Sequence, residues 1–299
     1  IGSINSGGTS NKGVLFSIKM DGTGFTKLID FNNTNGASPF NSIILSGNII
    51  YGNTSVGGKY NYGLIYSIHV DGTNYKDLFH FSGANGFQLF GGLLLSGNQL
   101  YGTATQGGSN GSGTVYCVDT FGNGFRVLHY FDGFSGANPR ASLVKVGKTL
   151  YGTCVQGGSL GGGIIFALKI IPPTIPICMV TVNENSKHNK IIWEKPITNE
   201  IDSFIIYREI TSEVYKQVGA IPYQSLSEFI DTASTLYFPF TGDPNAGTYR
   251  YKLQIKDKDG DFSNLSPYHN TIFVNQIFGT FNWNHYTIEH ETVPLPSLN

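Results

Sequence analysis

Charge is scarce in this chain. Asp, Glu, Lys and Arg make up 13% of its 299 residues and leave a net charge of −1, about half the usual charged share. That balance gives no global electrostatic case for binding nucleic acid or an anionic membrane surface. Glutamate is missing altogether from the first 170 residues, which carry ten Lys/Arg against six Asp. A glycosidase built on this half would need two positioned carboxylates, so the shortage argues against one. No apolar run approaches the roughly 20 residues of a membrane span, and the most apolar linker, IIPPTIPICMV, is broken by three prolines. No stretch carries the period of a helix of normal length. The three cysteines, Cys117, Cys154 and Cys178, lack CxxC spacing and read as buried free thiols rather than a disulfide or a metal site. The seven histidines form no HxH or HExxH pattern. The chain opens on IGSINSGG, with no Met, charged n-region or apolar h-region, which reads as a fragment or processed product of a longer chain.

What is present is glycine, 39 residues, of which 34 precede residue 171. They recur in register. Residues 1–50, 51–100 and 101–150 align without gaps, and 151–170 begin a fourth copy. Each copy has a Gly pair (Gly57–Gly58, Gly107–Gly108), a further Gly five residues on (Gly63, Gly113) and an aromatic three residues later (Tyr66, Tyr116). A period near 50 with about four short strands points to propeller blades or a related array of stacked sheets. LLLSGNQLYGTAT reads as a hairpin turning at Ser96–Gly97–Asn98. GTVYCVD alternates like a half-buried strand, and DGTG at Asp21 and DGTN at Asp71 read as two-residue hairpin turns. A phosphate loop would need its glycines to lead into a helix; these lead into strands. The repeated Tyr51, Tyr101 and Tyr151 are expected between blades, as core. Two units are complete and two incomplete, and we expect the remaining blades upstream of Ile1.

LYGTATQGG, GTVYCVD and VLHYF carry a resemblance to the bacterial GloVer tandem repeat, over residues 1 to about 170. Ile1, where the other copies have tyrosine, and FQLF at Phe87, where Ser38–Pro39 and Asn138–Pro139 stand in the others, depart from it. The resemblance implies export and surface display. It brings no catalytic residues.

After Pro172, Pro173 and Pro176 the texture changes to short strands with Trp193 early and a Tyr-rich strand late, the pattern of a sandwich. Residues 174 to 274 resemble a fibronectin type III domain, with Trp193 matching its second-strand tryptophan and Tyr251 its penultimate-strand tyrosine. The tail from residue 275 resembles the opening of a second such domain, with Trp283 in the role of Trp193. The expected class is therefore all-β: propeller-like repeats at 1–170, an immunoglobulin-like or fibronectin type III-like β-sandwich at 171–274, and the start of another at 275–299.

Candidate sites are sparse. Asp257, Asp259 and Asp261 alternate as in a calcium loop, but the twelfth position, which such a loop requires to be acidic, is Tyr268; a solvated hairpin turn is the preferred reading and no cofactor is expected. Lone acids such as Asp30, Asp77, Asp119 and Asp132 do not recur with the period and leave convergence at one catalytic site a minor alternative. Binding fits the composition better. Amides and hydroxyls interleaved with rings suit glycans, which offer hydroxyls and apolar faces. The candidate rim is the Gly-pair loop: Gln106, Ser109, Asn110, Gln156 and Ser159, with Lys59, Tyr60, Asn61 and Tyr62 in the second copy. The bland alternative is that these loops only solvate strand ends. The expected function is a non-enzymatic, secreted or cell-surface adhesion module whose partner is a glycan or a surface protein. A structural stalk and an accessory region of a larger extracellular enzyme are the alternatives.

Overall fold

A computed structural model describes residues 1–185, 188–196, 200–232 and 248–271, and the backbone of four short strands beyond them. Among the described residues all regular structure is β. The chain splits into two compact units, Ile1–Ile170 and Ile171–Asn299.

Unit 1 is four antiparallel sheets in chain order. The first holds β1 (Gly2–Ile4), β2 (Val14–Ser17) and β3 (Thr26–Asp30). The second holds β4 (Ile44–Ser46), β5 (Ile49–Thr54), β6 (Leu64–His69) and β7 (Lys76–His80), and the third holds β8 (Leu94–Ser96), β9 (Gln99–Ala104), β10 (Thr114–Asp119) and β11 (Arg126–Tyr130). In the fourth, β14 (Thr149–Gln156) pairs with β12 (Ala137–Pro139), β13 (Val144–Val146) and β15 (Ile164–Lys169). The first three sheets are meanders of neighbours in sequence, and the second, third and fourth each straddle a boundary of the 50-residue units.

Turn chemistry sets the register. The β4–β5 and β8–β9 hairpins close through Gly47–Asn48 and Gly97–Asn98, with the glycine at φ 57° and 61°, the two-residue loop that wants Gly first. The turns at Asp21 and Asp71 differ from the two-residue form expected. Gly22 N donates to Lys19 O (2.9 Å) and Lys19 N to Thr23 O (3.0 Å), so a tight turn is followed by a left-handed glycine at φ 82°, a three-residue loop with a bulge. Gly113 has a different task. It lies at φ 101°, and a Cβ there would stand 2.6 Å from the Ala104 carbonyl oxygen.

The sheets pack face on face. Leu15 and Phe31 meet Ile50, Tyr66 and Ile68. Tyr51 and Ile65 meet Leu100, Tyr116 and Val118; Tyr101 and Val115 meet Leu150, Phe166 and Leu168. Strands β6 and β10 are consequently buried on both faces, which corrects the half-buried reading of GTVYCVD. The tyrosine expectation holds for Tyr51 and Tyr101, each 6% exposed, and fails for Tyr151, at 41%, because Tyr51 and Tyr101 are covered by the next sheet of unit 1 and the fourth is the last sheet within that unit.

Unit 2 encloses one core between two sheets. One holds β16 (Ile177–Val182), β17 (Asn189–Trp193) and, beyond β18 (Ile201–Thr211) and β19 (Val214–Pro222) in sequence, β20 (Glu228–Ile230). The other runs β19–β18–β21 (Arg250–Asp257)–β22 (His269–Asn270). Alternate residues of β17 and β21 point inward, and Trp193, Phe204, Ile206, Tyr251 and Leu253 share the core. Arg208 and Asp231, 1% and 0% exposed, pair at 2.6 Å. Tyr251 Oη donates to the same Asp231 oxygen at 2.7 Å and accepts from Asn189 Nδ2 at 3.1 Å. Beyond Thr271, β23 (Val274–Ile277) pairs with β24 (Thr280–Trp283), and β25 (Thr287–Ile288) joins the edge at β22 and pairs with β26 (Glu291–Thr292). The part proposed for the side chain of Trp283 lies outside the described residues.

Candidate functional site

The Gly-pair loops are built by their own backbone. In the second copy Gly63 N donates to Gly57 O (2.9 Å) and Gly58 N reaches back to Asn33 O (2.7 Å). Asn61, at φ 62°, accepts from Gly57 N through Oδ1 at 3.2 Å. Asn11 does the same for Gly7. Asn61 is thus a turn residue first, in the left-handed region asparagine tolerates.

The side chain facing each loop from the end of the neighbouring strand changes from copy to copy. Asp30 takes the Thr9 amide and hydroxyl; His80 Nδ1 accepts from Lys59 N at 3.2 Å; Tyr130 stands where a Cβ on Gly108 would touch its ring. Asp30 is drawn down to about 2 by its hydrogen bonds to Lys27 and Thr9.

The nine rim residues divide accordingly. Gln106 is engaged through its backbone with Phe87, and Gln156 Oε1 accepts from Asn138 Nδ2 at 2.6 Å, so both help hold the segment that crosses from the preceding sheet. Ser109, Asn110 and Ser159 are exposed. Lys59 Nζ lies 5.1 Å from the centre of the Tyr60 ring, while Tyr62 packs on Phe87 at 5.3 Å. Tyr60 and Tyr62 are 49% and 41% exposed, which leaves two rings and a cation on one loop.

The acids named in the sequence do not converge. Asp77 accepts from Tyr75 Oη at 2.6 Å, Asp119 from the amides of Phe121 and Asn123, and Asp132 from Ser135. Asp119 and Asp132 serve their own turns, and Asp77 binds neighbours along its own strand, Tyr75 and His80. Asp257 likewise accepts from Asp259 N and Asp261 N at 3.1 and 2.9 Å. The DKDGD turn has the form seen at Asp119, and Asp257 is buried, so only part of it is solvated as expected. Among the described residues no group of three or more His, Cys, Asp or Glu is placed to hold a metal ion. Cys117 and Cys154 are buried, and burial pushes the Cys154 thiol up to about 11; Cys178 is exposed, against expectation.

A second cluster was not foreseen. Residues 40, 90 and 140, one repeat apart, come together: Phe40 and Phe90 meet edge to face at 5.6 Å, and the Arg140 guanidinium lies 5.7 Å from the Phe90 ring centre. Beneath them Asn41 Nδ2 donates to the Leu89 carbonyl and to Asn53 Oδ1 (2.7 Å), Asn53 Nδ2 to Gly91 O (3.0 Å) and Gly92 N to Ser142 Oγ (3.1 Å). The 50-residue period itself was the signal: equivalent positions of neighbouring stacked sheets become neighbours in space.

Comparison with known proteins gives a match over residues 1–169 to the model of the Gloeobacter/Verrucomicrobia repeat. A search of curated protein sequences gives no match. Among solved structures the chain is similar to the extracellular domain of a one-component system of B. thetaiotaomicron, at 12% identity and TM-score 0.34 over 86% of this chain and 34% of that one. TolB of Acinetobacter baumannii follows, at 15% identity and TM-score 0.35 over 86% of this chain and 62% of that one. A β-1,2-glucanase of Parabacteroides distasonis matches at 16% identity and TM-score 0.24, over 36% of this chain and 15% of that one. The chain spans less than two thirds of the length of each of these proteins, and likeness at this level says nothing of activity. No helix among the described residues is long and apolar enough to cross a membrane.

Proposed function

This chain belongs to the Gloeobacter/Verrucomicrobia repeat family, and from that premise we propose that it is a non-enzymatic adhesion module displayed outside the cell and binding neutral glycans. On this reading the stacked sheets of unit 1 form a propeller-like array. Unit 2 is a fibronectin type III-like platform, which the placement of Trp193 and Tyr251 in its two-sheet core supports.

The observation that carries the reading is the loop at Lys59–Tyr62. Its backbone is held by its own glycines and by Asn61, so Tyr60, Tyr62 and Lys59 are exposed without being needed to close the turn. A half-exposed tyrosine offers a sugar an apolar face and a hydroxyl at once. The exposed Ser109, Asn110 and Ser159 repeat the polar part of that surface in the next two copies. Single sites of about 1 mM, about −4 kcal/mol each, would hold a polymer once several act together.

A glycan array probed with the full chain tests this. Retention on a subset of neutral polysaccharides is expected, weakened by about tenfold or more in the Tyr60→Ala/Tyr62→Ala double variant with its unfolding midpoint unchanged. A flat array, or retention indifferent to the double variant, overturns it.

A further inference from the structure

The first two copies of the repeat tie their Gly-pair loops to the end of the neighbouring strand by the same hydrogen bond with opposite chemistry. In the first, Thr9 N donates to Asp30 Oδ1 at 3.1 Å, and Lys27, on the same strand, pairs with Asp30 at 2.6 Å. At the equivalent positions of the second, Lys59 N donates to His80 Nδ1 at 3.2 Å, and Asp77 Oδ2 lies 3.4 Å from His80 Nε2. Acceptor and partner have exchanged charge together: a carboxylate held by an ammonium in one copy, an imidazole held by a carboxylate in the other. In the third copy the two positions are Val127 and Tyr130. The His80 contacts belong to the interior of unit 1, on the sheet that packs against both the first and the third.

His80 is the tie between loop and strand. The other loop amides bind elsewhere: Gly57 N to Asn61 Oδ1, Gly58 N to Asn33 O, Asn61 N to Gly58 O and Gly63 N to Gly57 O. Nδ1 can accept an amide hydrogen only while it carries none of its own, which puts the hydrogen of the neutral ring on Nε2, toward Asp77. The remaining charged and titratable groups around the ring are Lys59, whose Nζ lies 5.1 Å from the centre of the Tyr60 ring, and Tyr75, whose hydroxyl reaches the other Asp77 oxygen at 2.6 Å. Across on β6 the paired residue is the apolar Leu64. Histidine is the side chain that ordinarily gains its proton between about pH 8 and 5. Asp30 stays charged over that range, drawn down to about 2 by Lys27 and Thr9.

We propose that His80 is a positioning residue that releases the Lys59–Tyr62 loop in mild acid. A proton on Nδ1 sets one N–H against the Lys59 N–H, two donors with no acceptor between them, and the bond is lost. Asp77 keeps the charged ring on β7 through Nε2, so the loop is the part that moves, with Lys59 and Tyr60 on it. The first copy, held by Asp30, keeps its loop. Weaker binding in acid is the consequence, and that consequence rests on the glycan reading; the release itself does not.

Amide spectra of the full chain carrying isotope-labelled lysine, titrated from about pH 8 to about pH 5, test the release without any ligand. The Lys59 amide is expected to move with the same midpoint as the His80 ring. His80→Asp, which installs the acceptor of the first copy, should hold that amide still; if this variant misfolds, His80→Gln, whose amide oxygen accepts and does not titrate, takes its place. On the glycan array, wild-type retention should fall about two- to tenfold over the same range, the worth of one hydrogen bond, and His80→Asp should lose that dependence. An array flat at both ends of the range counts against glycan binding, while the amide titration still decides the release. A Lys59 amide that ignores the titration of the ring overturns the proposal, as does one that moves equally in His80→Asp.

Discussion

Glycine in this protein does several distinct jobs, and only some of them tolerate a side chain. Gly47 and Gly97 head two-residue turns with open space where a Cβ would go. Gly113 combines φ 101° with a carbonyl oxygen 2.6 Å from the Cβ position, so alanine meets both strain and collision. Gly113→Ala is expected to lower the stability of unit 1 by about 1–3 kcal/mol, measured as a shift of the unit 1 transition in calorimetry; Gly97→Ala, lacking the collision, should cost less. The frame of repeated glycines was readable in the sequence because positive φ selects the residue type. Which of them a neighbour also crowds was not, because the crowding atoms belong to other strands.

At the level of strands and turns, local chemistry was legible and cross-sheet chemistry was not. The DG and SGN turns announced themselves, although the former carry one residue more than a two-residue hairpin: the glycine follows the tight turn instead of lying within it. The tie between the two sheets of unit 2 had no sequence signature. Arg208 on β18, Asp231 after β20, Tyr251 on β21 and Asn189 on β17 come from four separate segments. Asp231 takes hydrogen bonds from both Arg208 and Tyr251 with no exposure to water, so removing its charge breaks a buried ion pair. Breaking one partner of such a pair costs about 3–5 kcal/mol. Asp231→Asn should therefore lower the unfolding free energy of unit 2 by that order in chemical denaturation, and Arg208→Met with Asp231→Leu together should recover much of it.

For the whole molecule, the two units make separate cores, so each should unfold as its own cooperative step. Acid distinguishes them. His269, 2% exposed in unit 2, is lowered by burial to about 4 from an ordinary 6.5. Its neutral form belongs to the fold, so the unfolded chain binds the extra proton between those values. The stabilisation is complete above pH 6.5 and is lost as the pH falls toward 4, by as much as about 3 kcal/mol. Calorimetry at pH 7 and pH 4.5 should show the unit 2 transition moving down, and His269→Gln should flatten that movement while leaving the unit 1 transition in place.

Alternation, turn residues and composition, which depend only on neighbours along the chain, were enough to read the all-β class, the 50-residue period, the places of most strands and the change of texture near residue 170. Tertiary structure alone decided which faces those strands bury. Tyr51, Tyr101 and Tyr151 are one position in the repeat, yet the last is exposed, since burial depends on the next sheet and not on the residue. The meeting of Phe40, Phe90 and Arg140 and the Arg208–Asp231–Tyr251 tie likewise arise from segments far apart in sequence, whose proximity no local pattern encodes.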